Sequence, residues 1–153
     1  MNLHLKRAQL SDAEAMHRMQ VAAFLPLYEK YHDTAINPAC ESVQRVREKI
    51  AGSRYYFIMD GPRAMGGIRV VDHGDERPKV ISPLFILWEY QNRGLAQMAV
   101  REAERLHGAH HWRLDTILEE PGNCHLYEKL GYRRTGKAQR VRPNMTIVDY
   151  EKE

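Results

Sequence analysis

The stretch from Val80 to Leu118 leaves few folds open. An almost wholly apolar run, Val80 to Leu87, has the pattern of a strand covered on both faces. After the loop Gln91-Asn-Arg-Gly-Leu-Ala96, apolar residues recur at Leu95, Met98, Ala99, Ala103 and Leu106, the spacing of one helix face, and Gly108 supplies a stop. His111 to Leu118 reads as the next strand. A helical crossover between neighbouring strands makes them parallel, and ligands collect at the carboxyl ends of such strands. Pro83 cannot donate a ladder hydrogen bond, so it predicts a bulge inside the first strand.

The flanking segments fit one α/β mixture. Leu3 and Leu5 alternate with His4 and Lys6 as a strand. Ser11 and Glu14 then have the spacing of a capping box that opens a helix through Met16, Met19, Ala23 and Phe24. Pro26 predicts the end of that helical pattern and an aromatic loop from Leu27 to Pro38, before Glu41 to Ile50 resumes a helical period. Tyr55 to Met59, Asp60-Gly61 and Ala64 to Val71 read as a hairpin, with Gly66-Gly67 marking a bulge or a close backbone approach. A second hairpin passes through His73 to Pro78. Pro121-Gly-Asn123 starts a short helix ended by Gly131, and Tyr132 to Val141 with Met145 to Tyr150 make a closing hairpin around Pro143-Asn144. No repeat, linker or low-complexity segment interrupts residues 1–153, so one domain is expected.

Composition excludes several function classes. The 23 basic and 20 acidic residues are intermixed and give a net charge of +3, with no Lys/Arg block of the kind that tracks a nucleic-acid backbone. No apolar run approaches the ~20 residues that span a bilayer, and the start lacks the apolar core of a signal peptide. The chain is expected to stay in the cytosol without nucleic-acid or membrane partners. Cys40 and Cys124 are expected as free thiols. His107, His110 and His111 lack the companion ligands of a metal site, so no metal is expected.

The loop carries the first chemical signal. Backbone N–H groups at a helix start lack intrahelical partners and attract an anion; Gly94 and Ala96 allow close approach, and Arg93 can add a compensating charge. Followed some thirty residues later by Leu126-Tyr-Glu-Lys-Leu-Gly-Tyr132, this loop makes the chain resemble the GNAT superfamily of N-acetyltransferases. The resemblance extends over nearly the whole chain. It implies a single α/β (α+β) domain with a mixed sheet of about seven strands, a splayed parallel pair and about four flanking helices.

It also implies site residues. Acetyl-coenzyme A would contact Phe85, Ile86 and Leu87 through their backbone, and its pyrophosphate would lie on Gln91, Asn92, Arg93, Gly94, Leu95 and Ala96. Tyr127 stands where the family places the acid that protonates the departing thiolate, and it also touches the cofactor. Many relatives carry an asparagine seven residues before this tyrosine, where this chain has Glu120; Asn123 either takes over that contact or caps the helix. Asp115 stands where some relatives have a general base, with Glu119, Glu89 and Glu29 as alternatives. A covalent role for Cys124 is set aside, because a buried cysteine usually behaves as a small hydrophobe.

The family folds its first two helices over the acceptor, so Tyr28, Tyr31 and Asp33 are expected to bind it, rings and a carboxylate suiting a cationic amine. The reading is therefore acetyl transfer from acetyl-coenzyme A to a small-molecule primary amine, by direct attack in a ternary complex. Acetylation of a protein N-terminus or lysine, and a non-catalytic acyl-coenzyme A sensor, are the alternatives. The sequence is compatible with a homodimer and names neither the acceptor nor a secure base.

Overall fold

The computed structural model describes residues 2–153. Strand β1 (Leu3–Arg7) leads through a 3-10 turn (Leu10–Asp12) into α1 (Ala13–Tyr31), and a second such turn (Pro38–Cys40) precedes α2 (Val43–Gly52). Strands β2 (Arg54–Asp60), β3 (Arg63–Val71) and β4 (Lys79–Ile86) follow as hairpins; a third 3-10 turn (Trp88–Tyr90) leads to α3 (Leu95–His107). The chain closes with β5 (Trp112–Ile117), α4 (Pro121–Lys129), β6 (Arg133–Arg142) and β7 (Met145–Lys152). One seven-stranded sheet runs β1-β2-β3-β4-β5-β7-β6, antiparallel except for β4 and β5. This is the expected mixed sheet with four helices.

The pleat assigns the two faces. Tyr55, Phe57 and Met59 of β2 pack with Met16 of α1 and with Val46 and Ile50 of α2. Their neighbours Tyr56 and Ile58 point the opposite way, onto a larger cluster with Leu95, Ala99, Val100 and Ala103 of α3 and Tyr127 of α4. Period-2 alternation against helical spacing thus places two helices on each face. Ser42 caps α2 by accepting from the Arg45 N–H at 3.0 Å.

Two expectations about α1 are corrected. The helix does not stop at Pro26 but continues to Tyr31, where His32 closes it with φ 53°. A proline inside a helix costs about 3 kcal/mol. The last turn is held by apolar burial that offsets this cost: Tyr31 and Leu27 pack on Ile117, Met145 and Ile147. Nor does the Ser11–Glu14 capping box form. The Asp12 carboxylate accepts from the Gln9 N–H at 2.8 Å, so the cap sits one turn earlier, on the 3-10 entry.

The sheet opens where β4 and β5 part. Their parallel pairing is confined to Lys79 with Trp112 and Val80 with Arg113. Beyond it, Ser82 and Pro83 together face Arg69 of β3, because Ile68 pairs with Leu84 and Val70 with Ile81. The bulge predicted from Pro83 is therefore present, and it bends β4 away from β5. On the other side β3 approaches closely. A Cβ on Gly66 would lie 2.2 Å from the Phe85 carbonyl oxygen, and one on Gly67 would lie 2.7 Å from the Phe85 ring. The two glycines let Phe85 lie flat against β3, where Phe24 of α1 meets it edge-on with centroids 5.7 Å apart.

Candidate active site

The loop between β4 and α3 has a backbone conformation that suits an anion. Asn92 and Gly94 both adopt left-handed φ, 64° and 73°. Such left-handed residues aim successive N–H groups into one concavity. The first turn of α3 carries no acidic residue, so the positive end of the helix is left uncompensated. Gln91 Nε2 donates to the Ile86 carbonyl at 3.0 Å, which ties the loop to the free edge of β4. Arg93 lies over the Tyr90 ring at 5.8 Å, and Arg63 lies over the same ring at 5.6 Å. Tyr90, which also lines the cleft that starts at this loop, does not belong to the loop motif and was not legible from it.

A cleft of about 850 Å³ runs from this loop between the parting strands to the end of α1. That is the size of a small-ligand site. Its wall includes Phe85, Ile86, Gln91, Asn92, Gly94, Leu95, Ala96, Asp115, Asn123 and Tyr127. Arg93 and Leu87 are outside it. The Leu87 N–H is bonded to the Met65 carbonyl at 2.9 Å, so that edge of Leu87 faces β3 and not the cleft.

Tyr127 is 8% exposed and sits between the rings of Tyr132 and Tyr150, at 6.0 and 6.2 Å. Its hydroxyl makes no hydrogen bond among the described residues, yet no side-chain polar atom is both sealed and unpartnered. The hydroxyl therefore opens to the cleft. Burial pushes its ionisation far above the ordinary phenol range, with the charge of Asp115 adding to the effect. Tyr127 keeps its proton at neutral pH. Asp115 has a surface open to water in the cleft, while the protein around it removes enough solvent to raise its carboxyl; Asp149, paired with it across β5 and β7, adds repulsion.

The alternative bases lie elsewhere. Glu119 accepts from the Thr146 N–H at 2.7 Å and from its hydroxyl at 2.9 Å, and the N–H bond lowers its ionisation. Glu89 and Glu29 are exposed and off the cleft wall. Cys124 is half-buried and also off the wall, its thiol turned toward the Ile117 carbonyl at 3.8 Å. His107 holds Tyr56 and Asp72.

On the acceptor side the three expected residues separate. The Tyr28 hydroxyl bonds Thr34 at 3.2 Å, and Tyr31 is 1% exposed with its hydroxyl turned to Glu120; neither lines the cleft. Asp33 does. Phe24, Leu27, Ile36, Val141 and Ile147 are also on this wall. The hairpin residues among them were missed because their place depends on β7 inserting next to β5. Asn37 was also missed, although Asn before Pro38 is a turn-capping signal.

The sequence matches the acetyltransferase (GNAT) family over residues 14–132. The chain belongs to that family. As a GNAT acetyltransferase it takes its acetyl group from acetyl-coenzyme A, and the free β4 edge and the left-handed loop suit an extended arm ending in a pyrophosphate. Among solved structures it is similar to the Vibrio cholerae spermidine N-acetyltransferase in complex with CoA and spermine: 17% identity over 97% of this chain and 93% of that one, TM-score 0.75. It is also similar to the PaiA N-acetyltransferase of Thermoplasma acidophilum in complex with coenzyme A, at 15% identity over 100% of both chains and TM-score 0.74. An acetyltransferase from Thermus thermophilus aligns at 18% identity over 98% of this chain and 96% of that one, TM-score 0.72. At these identities the likeness establishes the shared fold. A search of curated proteins gives no match. Among the described residues no helix is long and apolar enough to cross a membrane.

Proposed function

We propose that this GNAT acetyltransferase acetylates the primary amine of a small molecule by direct attack, with donor and acceptor bound together. The observation that carries the reading is the single cleft on which the glycine loop, Tyr127, Asp115 and the end of α1 converge. Acetyl-coenzyme A supplies a thioester carbonyl: the amine nitrogen forms a bond to that carbon, the carbon–sulfur bond breaks, and the thiolate leaves with the electron pair.

The chain's own groups have distinct parts. The Asn92–Ala96 loop and the Ile86 edge hold the donor and fix its depth. Tyr127, neutral and open to the cleft, gives its proton to the departing sulfur and recovers one from solvent. Asp115 takes the proton that the amine nitrogen loses, directly or through water. Phe24, Leu27 and Ile36 cover the acceptor side, which favours a small molecule over an extended protein segment. A spermidine N-acetyltransferase among the fold's neighbours agrees with a small amine as acceptor.

The test is thiol release from acetyl-coenzyme A across an amine panel, with Tyr127→Phe alongside. Turnover with the intact chain, and a loss of about 100-fold in kcat in the variant with coenzyme A binding retained, is expected. An intact chain that binds coenzyme A but releases no thiol with any amine would leave the sensor reading in its place.

A further inference from the structure

We infer that the acceptor is a dication: a diamine or longer polyamine whose second ammonium group pairs with Asp33 while the first is acetylated. The inference rests on the acetyl-transfer reading above, and its experiment separates the two.

Apart from the backbone N–H groups at the glycine loop, the charge of the cleft wall is of one sign. Its ionisable side chains are Asp33, Asp115, Tyr90 and Tyr127, and no lysine, arginine or histidine lines it. In a chain with 23 lysines and arginines and a net charge of +3, this is a local reversal. A carboxylate or phosphate on the acceptor would meet no cation there and would lose its hydration uncompensated. An ammonium would meet two carboxylates.

Asp33 has one carboxylate oxygen engaged in the fold and one left over for this contact. It is 6% exposed and forms no ion pair among the described residues. Its Oδ1 accepts from Asn37 Nδ2 at 3.0 Å. The Asn37 amide has a fixed sense, because its Oδ1 accepts from the Ala39 N–H at 2.7 Å. Oδ2 has no protein donor, and no side-chain oxygen among the described residues is sealed without a partner, so Oδ2 opens to the cleft that Asp33 lines. Buried carboxylates are normally paired; one left with an open oxygen on a cleft wall is free to take a cation from outside.

The surroundings hold it rigid. The Asp33 carbonyl accepts from the N–H groups of Ile36 at 3.1 Å and Asn37 at 2.9 Å. Gln20 Nε2 then pins the Pro38 carbonyl to α1 at 2.8 Å. A fixed carboxylate loses little entropy on pairing, which makes it selective. Leu27, Ile36, Val141 and Ile147 line the same side and suit an alkyl spacer between the two nitrogens. Asp115, beside Tyr127, faces the reacting end.

The experiment compares diaminohexane, hexylamine and aminohexanoate, with their butane and octane counterparts, so that only the far-end charge changes at each length. Binding to the protein–coenzyme A complex is measured by calorimetry, and thiol release is measured in parallel. At the best length the diamine should bind on the order of tenfold tighter than the monoamine, and the amino acid should bind worst. In Asp33→Asn, which retains the Asn37 bond, the diamine-to-monoamine ratio should collapse toward unity. Asp33→Glu, which keeps the charge one methylene further out, should retain the ratio with a shorter diamine preferred.

A diamine no tighter than its monoamine at every length, an amino acid equal to the diamine, or an Asp33→Asn ratio that stays at the wild-type value would overturn the inference. Charge-selective binding without thiol release would sustain the Asp33 ammonium site while removing acetyl transfer. Thiol release without charge selectivity would do the reverse.

Discussion

Tyr31 donates its phenol hydrogen to Glu120 Oε2 at 2.5 Å, tying the last turn of α1 to the residue that precedes α4. Lys30 Nζ donates to the same oxygen at 2.7 Å. The Glu120 carboxylate is thereby occupied by α1. The tie joins the acceptor wall to the helix that carries Tyr127.

Removing that tie should cost stability in a coupled way. Tyr31 is buried, whereas the Glu120 side chain is 24% exposed, so the pair belongs near the low end of charge-assisted hydrogen bonds. Tyr31→Phe is expected to cost about 1–2 kcal/mol, roughly 2–8 °C in Tm for a chain of this length. Glu120→Gln, which also loses the Lys30 ion pair, should cost at least as much, and the double variant less than the sum of the two. Strictly additive losses in a denaturation series would show that the two residues act separately.

The chain should also be sensitive to alkali. Six of its eight tyrosines, Tyr31, Tyr55, Tyr56, Tyr127, Tyr132 and Tyr150, have ionisations raised above the ordinary value, with burial the leading cause in each. A group whose folded pKa exceeds its unfolded value binds its proton more tightly in the fold. The stability this contributes is complete below the unfolded value and is lost as pH rises above it. Tm should be nearly flat from pH 8 to about 10 and fall steeply above the unfolded tyrosine pKa of ~10. A curve unchanged through about pH 11.5 would contradict these burials.

Gly66 should be far less tolerant than its exposed counterparts. A methyl at this position meets the Phe85 carbonyl oxygen, a backbone atom that cannot turn aside, at 2.2 Å. Gly66→Ala is expected to cost about 1–3 kcal/mol or more and to shift the strand that presents Ile86. Gly52→Ala, at the end of α2 with nothing within 4 Å, is the control and should be neutral or stabilising by up to ~1 kcal/mol. Equal urea midpoints for the two variants would refute the close approach.

These residues show what a sequence can carry. Pro83 announced its bulge because a missing N–H is a local fact that no packing restores. Gly108 marked the end of α3 for a similar reason: its φ of 105° suits glycine whatever surrounds it. Pro26 misled because its local penalty of about 3 kcal/mol competes with burial of Leu27 and Tyr31 against strands distant in the chain. The glycine loop and Tyr127 were legible as contiguous motifs. The far wall was not, since Asp33 shares a cleft with Val141 and Ile147 only through the insertion of β7 between β5 and β6. Local spacing could not separate Tyr31 from Asp33, one committed to the fold and the other to the cleft.

The pair Asp115 and Asp149 gives the reaction its sharpest test. The two carboxylates face each other across β5 and β7, and like charges so placed repel. Burial first, and this repulsion second, raise the Asp115 carboxyl above its usual range. A base accepts a proton only when it is ionised, so kcat/KM should rise with pH through the folded ionisation of Asp115. Asp115→Asn should lower kcat/KM by about 100-fold and delete that limb, leaving only the limb set by the amine's own ionisation. Asp149→Asn removes the repulsion but not the base, so activity should persist while the acidic limb moves to lower pH. Matched profiles for Asp149→Asn, Asp115→Asn and the unaltered chain would mean that the amine alone sets the limb, and that its proton leaves by a route that avoids Asp115.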